Sequence, residues 1–200
     1  MYAVRTGTRV QLDAFWKAER RILVSAAGVH RTEGFRYAID NGAWTWHQKG
    51  LPFDFDAFAK VVSNLGAGAD WIACPDKVGD RVVSLRRAEQ WLPLLDGIGR
   101  ARLVVVQDGT TEDDVGPWLG EDVGIFVGGS SEWKDETIGY WGKVGQKYGC
   151  LVHVGRVNTL ARITRCTAPG ITSRDGSGES RFLKHHKRMR RWEAQGSLAL

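Results

Sequence analysis

Cysteine is scarce in this 200-residue chain: Cys74, Cys150 and Cys166 lie far apart, and none forms a Cys-x-x-Cys pair. That scarcity excludes a disulfide scaffold and a cysteine-rich zinc site, and it points to a reducing compartment. Long apolar runs are missing too. The cleanest stretches, Leu103–Val106 and Ile125–Val127, are strand-sized and far short of the ~20 residues that cross a bilayer. Residues Met1–Arg5 show no basic-then-apolar export signal, so a cytoplasmic location and no membrane partner are expected. Internal repeats, low-complexity segments and linkers are likewise absent. With 42% hydrophobic residues available for one core, the chain reads as a single domain over 1–200.

Acid is in short supply near the C-terminus. From Leu151 to Leu200 there are 10 Lys or Arg against 3 Asp or Glu, whereas the preceding residues carry 18 against 20. The run from Arg181 to Trp192 holds six of these cations and no acid. It reads as a basic helix over about 178–194 without the i,i+4 ion pairs that relieve repulsion on an ordinary solvated face. A polyanion would relieve that repulsion, and nucleic acid is the expected partner, through Arg181, Lys184, Lys187, Arg188, Arg190 and Arg191.

Short β-type runs recur at Ala3–Arg5, Ile22–Ser25, Tyr37–Ile39, Trp71–Ala73, Leu103–Val106, Gly124–Val127, Leu151–Val154 and Ile171–Ser173. The fourth to seventh are almost wholly apolar, as strands covered on both faces are. Amphipathic helix patterns separate them: Phe53–Leu65, Asp80–Leu95 with Pro93 in its last turn, Thr111–Leu119, Ser131–Tyr148 and Asn158–Cys166. Alternation of this kind predicts an α/β fold with a parallel sheet. Eight strands favour closure into a compact, irregular (β/α)8 TIM-type barrel. The irregularity falls at Ala26–Phe35, a connection too short for a crossover helix.

Polar or glycine-rich clusters follow one predicted strand after another: Asp40-Asn-Gly-Ala-Trp44, Cys74-Pro-Asp76, Gln107-Asp-Gly109, Gly128-Gly-Ser-Ser-Glu-Trp-Lys134, His153-Val-Gly-Arg156 and Arg174-Asp-Gly-Ser177. In a parallel barrel these points share one rim, where such folds carry out their chemistry. A single Asp after a strand is ordinarily a helix cap. A series of them on one rim is harder to assign to capping. Asp40, Asp76 and Asp175 are therefore expected to face one pocket with Gln107. Carboxylates whose pKa values are pushed apart can divide nucleophilic and acid/base roles, and an Asp with a Gln can read a purine edge. Trp44, Trp46 and Trp133 adjoin the expected pocket and are expected to stack on a base. Trp16, Trp71, Trp91, Trp118 and Trp141 read as core.

In order, these motifs resemble the tRNA-guanine transglycosylase superfamily and, within it, the DNA-modifying DpdA branch of phages and bacteria. Asp40-Asn-Gly-Ala-Trp44 is similar to the family's Asp-Ser/Thr-Gly-Gly-Phe element, Val105-Val-Gln-Asp-Gly109 to its Val-Gln-Gly segment, and Phe126-Val-Gly-Gly129 to its Gly-Gly loop. His153-Val-Gly-Arg156 resembles its His/Tyr-x-x-Gly-Val-Gly strand end, and Asp175 takes the place of its Phe-Asp nucleophile. The resemblance runs from about residue 37 to residue 181. It implies that Asp175 is the nucleophile and Asp40 the general acid/base. Asp76, Gln107, the Gly128 and Gly129 amides, Trp44 and His153 would bind the base. The implied partners are DNA, single-stranded or with its target base flipped out, and a free 7-deazaguanine such as preQ0. If the chain is phage-encoded, the compartment is the host's cytoplasm.

The family's tRNA-modifying members carry a Cys-x-Cys-x-x-Cys plus His zinc site after the nucleophile. Here Cys166 stands alone on that side, so no metal and no cofactor is expected. Lys134, Arg156 and Arg174 join the basic run as expected phosphate contacts. Two other readings compete with exchange. One is a metal-dependent barrel hydrolase or isomerase with Asp76, His153 and Asp175 as ligands. The other is a non-catalytic nucleic-acid-binding module whose rim carboxylates only cap turns.

Overall fold

Strands rich in Val, Ile and Leu pair in parallel only when both faces are covered, and here they close on themselves. In the computed structural model, which describes residues 1–4 and 8–177, eight parallel strands form a closed barrel in chain order. They are β1 (Tyr2–Val4), β2 (Arg21–Ser25), β3 (Tyr37–Asp40), β4 (Ile72–Ala73), β5 (Arg102–Val106), β6 (Val123–Val127), β7 (Val152–Val154) and β8 (Ser173–Gly176). The seam is made by β1 and β8, with Tyr2 opposite Asp175 and Ala3 opposite Gly176. Around the barrel lie α1 (Arg9–Lys17), α2 (Ala43–Gln48), α3 (Phe55–Leu65), α4 (Arg81–Trp91), α5 (Glu112–Val115), α6 (Ser131–Tyr148) and α7 (Leu160–Arg165). No helix crosses between β2 and β3, as the short connection requires. The expected basic helix over 178–194 lies outside the described residues.

Period-two alternation splits the apolar residues into two cores. Val104, Val106, Ile125, Val127, Val152 and Val154 face the helices. Tyr2, Leu23, Ala38, Trp71, Ala73, Leu103 and Val105 face the barrel interior, with Phe126 packed against them. Trp71 meets Tyr2 edge-on at 5.2 Å between ring centroids, and the His153 ring at 4.5 Å. These rings fill the lower barrel, and Trp71→Ala would cost about 3–5 kcal/mol. Among the described residues no helix is long and apolar enough to cross a membrane.

Several boundaries differ from the sequence expectations. The last strand runs Ser173–Gly176 rather than Ile171–Ser173, so Asp175 sits within a strand and not in the loop behind it. That strand contains no large apolar residue, and its inward positions carry polar groups. Helix α4 stops at Trp91, before Pro93, and α5 is one short helix followed by a 3-10 turn at Gly116–Trp118. The helices α1 and α2 carry too little apolar periodicity to be read: Phe15 is the one buried residue of α1.

Candidate active site

A cavity of about 550 Å³ opens at the carboxyl ends of the strands, and Asp40, Asp76, Gln107 and Asp175 all line it. Val4, Leu23, Ala73, Val105 and Phe126 supply apolar wall beneath them. This is the mouth at which parallel barrels place ligands.

Asp40 ends β3, and the chain must turn at once into α2. Gly42 makes that turn with φ +83°, and a side chain there would run into Ala27 N at 2.7 Å and the Trp46 ring at 2.9 Å. Its N–H donates to Asp40 Oδ2 at 3.1 Å. Asp40 is half-buried, and its carboxyl is pushed up to about 7 by loss of water, then by the charges of Asp175 and Asp76; the Gly42 N–H opposes this only in part.

Asp76 is held by amides instead of cations. Asn41 Nδ2 donates to its Oδ1 at 2.7 Å and Gln107 Nε2 to its Oδ2 at 2.6 Å. Gln107 is fixed in turn by the Gly79 N–H, which donates to Oε1 at 3.1 Å, and Asn41 by the Ala43 N–H at 2.9 Å. Burial raises the Asp76 carboxyl to about 6, against the Asn41 and Gln107 hydrogen bonds and the nearby Arg87 and Arg156 charges. The amide of Gln107 is thereby oriented with its nitrogen toward Asp76, an orientation fixed by what each end can donate or accept.

Asp175 receives two donors on one oxygen. His153 Nε2 lies 3.0 Å from Oδ1, and the Arg156 backbone N–H donates to the same atom at 3.2 Å. A carboxylate only accepts, so the Nε2 carries the proton and Nδ1 accepts from the Ser173 hydroxyl at 2.9 Å. His153 is fully buried among Tyr2, Trp71 and Phe126, and that burial lowers its pKa despite Asp175 beside it. Arg156 adopts a left-handed backbone (φ +58°), a conformation that costs a side-chain-bearing residue about 1–3 kcal/mol and concentrates at functional sites.

Neither the known protein families nor the curated proteins compared with this chain match it. The chemistry of the site therefore stands on its residues.

The base-binding and phosphate expectations need correction at six positions. His153 lies beneath the cavity with no exposed surface, so it supports Asp175 and does not touch a base. The Gly128 N–H is already committed to the Val106 carbonyl at 3.0 Å as part of the barrel ladder. Both glycines still line the cavity: at Gly128 a Cβ would crowd Gln107 Nε2 at 3.1 Å, and at Gly129 (φ +72°) it would strike Asp108 and Trp133. Lys134 is fully buried, its Nζ donating to the Gly155 carbonyl at 2.9 Å, so it is no phosphate contact. Burial, then the Arg156 and Arg162 charges, lowers its pKa to about 7. Arg174 alternates with Asp175 along β8 and so faces the helices, close to Cys166. Trp46 packs into the core against Phe53 at 4.9 Å, and Trp133 against Trp141 at 6.2 Å; neither lines the cavity.

Trp44 does line the cavity, 38% exposed, with the Arg156 guanidinium 3.9 Å above its ring. Trp16, expected in the core, is 62% exposed on α1. Arg181, Lys184, Lys187, Arg188, Arg190 and Arg191 lie outside the described residues. Among the described residues no three His, Cys, Asp or Glu side chains gather to hold a metal ion, so Asp76, His153 and Asp175 do not form the ligand set of the hydrolase reading. Sequence reasoning missed Asn41 and Ser173. Asn41 was visible as the residue after Asp40, but its tie to Asp76 spans 35 positions. Ser173 carried no local signal.

Proposed function

We propose that this chain is a base-exchange transglycosylase that replaces guanine in DNA with a 7-deazaguanine, preQ0 or a derivative, through a covalent Asp175-glycosyl intermediate. One observation carries the reading: Asp40, with a carboxyl raised to about 7, and Asp175, with two N–H donors on one oxygen, line the same cavity as an Asp76–Gln107 pair suited to a purine edge. A titratable acid tuned near neutrality beside an anchored carboxylate matches the division of labour in retaining glycosyl transfer.

Asp175 attacks C1′ of the target nucleotide with its other oxygen. The C1′–N9 bond breaks, its electron pair leaves on guanine, and Asp40 supplies the proton. The incoming 7-deazaguanine then gives its N9 proton to Asp40, and N9 displaces Asp175 from C1′. One proton leaves Asp40 and one returns, so the exchange needs no cofactor or external energy source. Asp76 accepts from the N–H groups of the guanine edge with lone pairs not used by Asn41 and Gln107. A target base in a duplex must be flipped out, at a cost of a few kcal/mol, or be supplied single-stranded.

The test incubates the protein with guanine-containing DNA, single- and double-stranded, and labelled preQ0 under chelating conditions. The expected result is label in the DNA; none with either substrate, from folded protein, overturns the reading.

A further inference from the structure

Strands β3 and β7 stand four apart in the closed ring, on opposite sides of the barrel. Trp44 opens the helix after β3, and Arg156 follows β7, yet the guanidinium lies 3.9 Å from the centre of the indole ring. The Arg156 side chain therefore bridges the mouth. Its Nη2 donates to the Gly129 carbonyl at 2.6 Å behind β6, and among the described residues no carboxylate is within ion-pair distance of it. The backbone beneath is pinned on both sides: Lys134 Nζ holds the preceding Gly155 carbonyl, and the Arg156 N–H is on Asp175. Asp175, Asp76 and Asp108 act on this cation from a distance without touching it. A left-handed arginine held this firmly, with no acid in direct contact with its guanidinium and both partners lining one cavity, is arranged for a phosphate arriving at the mouth.

We infer that Trp44 and Arg156 form a subsite for the nucleotide next to the exchanged one, its phosphate on the guanidinium and its base on the indole face. In the closed contact there is no room for a ring between the two groups. An arriving phosphate draws the guanidinium off Trp44 while Gly129 still anchors one nitrogen, and the same movement uncovers the stacking face. Phosphate capture and base stacking thus come as one event, and the preferred substrate class is an oligonucleotide, with a free nucleoside a poor one. This rests on the nucleic-acid reading above.

Binding of deoxyguanosine and of the dinucleotides d(TpG) and d(GpT), measured by calorimetry without preQ0, tests it. The better dinucleotide is expected to bind about 10- to 100-fold more tightly than deoxyguanosine. Arg156→Met and Trp44→Ala each bring that ratio to within about threefold, whereas Trp44→Phe and Arg156→Lys keep part of it. A wild-type ratio near one, or variants that weaken all three ligands in proportion, overturns the inference. The ratio is read from binding alone. Its persistence in protein that incorporates no label would uphold the subsite and defeat the exchange reading instead.

Discussion

At the amino-terminal end of the barrel, Asp70 accepts from Tyr2 Oη at 3.1 Å, Arg21 at 3.0 Å and Arg36 at 3.1 Å, and Arg102 pairs with Asp96 at 2.8 Å and with Asp122. At the carboxyl end, Asp40, Asp76 and Asp175 are met by backbone N–H groups, two side-chain amides and a buried imidazole. The floor pairs its acids with cations, which ties the end of the sheet together. The mouth buries its acids without a Lys or Arg ion-pair partner among the described residues, and that burial, with the charges of Asp175 and Asp76 added at Asp40, raises two carboxyls, to about 7 for Asp40 and about 6 for Asp76. The first arrangement serves stability, and the second is the one the proposed exchange would draw on.

Substitutions at the two ends should therefore act on different measurements. The largest effect is expected from Asp175→Asn, which removes the proposed nucleophile and should lower exchange by at least about 10⁴-fold with the fold intact. Asp40→Asn should lower it by about 10²–10⁴-fold, the range of a lost acid/base group, seen in both adduct formation and resolution. Lys134→Met releases the Gly155 carbonyl and loosens the turn that aims the Arg156 N–H at Asp175. About tenfold is expected in kcat with KM little changed, and stability should fall by no more than about 1–3 kcal/mol, because the unpaired Gly155 carbonyl is partly offset by removal of a buried amine. Asp70→Asn, on the floor, should cost about 1–3 kcal/mol in denaturant unfolding and leave kcat untouched. A floor substitution that stopped catalysis at full stability would break the comparison.

The smallest effect concerns pH. Unfolded, Asp40 ionises near 3.8; folded, near 7. Between these values the native state holds a proton that the unfolded chain has lost, so this group lowers stability as pH climbs from about 4 to about 7. Asp40→Asn should accordingly stabilise the protein at pH 7.5 by about 1 kcal/mol, discounted because the cavity admits water, and do nothing at pH 3. Unfolding midpoints at the two pH values read this directly.

The barrel was legible because β4 to β7 are almost wholly apolar and the α6 pattern, Ser131–Tyr148, spans the helix that forms. The site was legible as far as residues at strand ends share a rim: positions 40, 76, 107 and 175 do converge. What the sequence hid is direction. Arg174 sits beside Asp175 in the chain but on the other face of the strand, and Trp46 lies about half a helical turn from Trp44 and so points into the core. Lys134 reads as a surface cation until the helix is seen to press its first turn under Gly155. Neighbours in sequence predicted the rim; only packing decided which of them reach the cavity.

The central claim is covalent, so the most direct measurement looks for the bond. Protein mixed with a guanine-containing oligodeoxynucleotide, quenched, digested and mapped by mass spectrometry should yield a single strand-bearing peptide with the modification on Asp175, and none from Asp175→Asn. Base exchange that proceeds undiminished in Asp175→Asn, or an adduct mapped to a different side chain, would contradict the account.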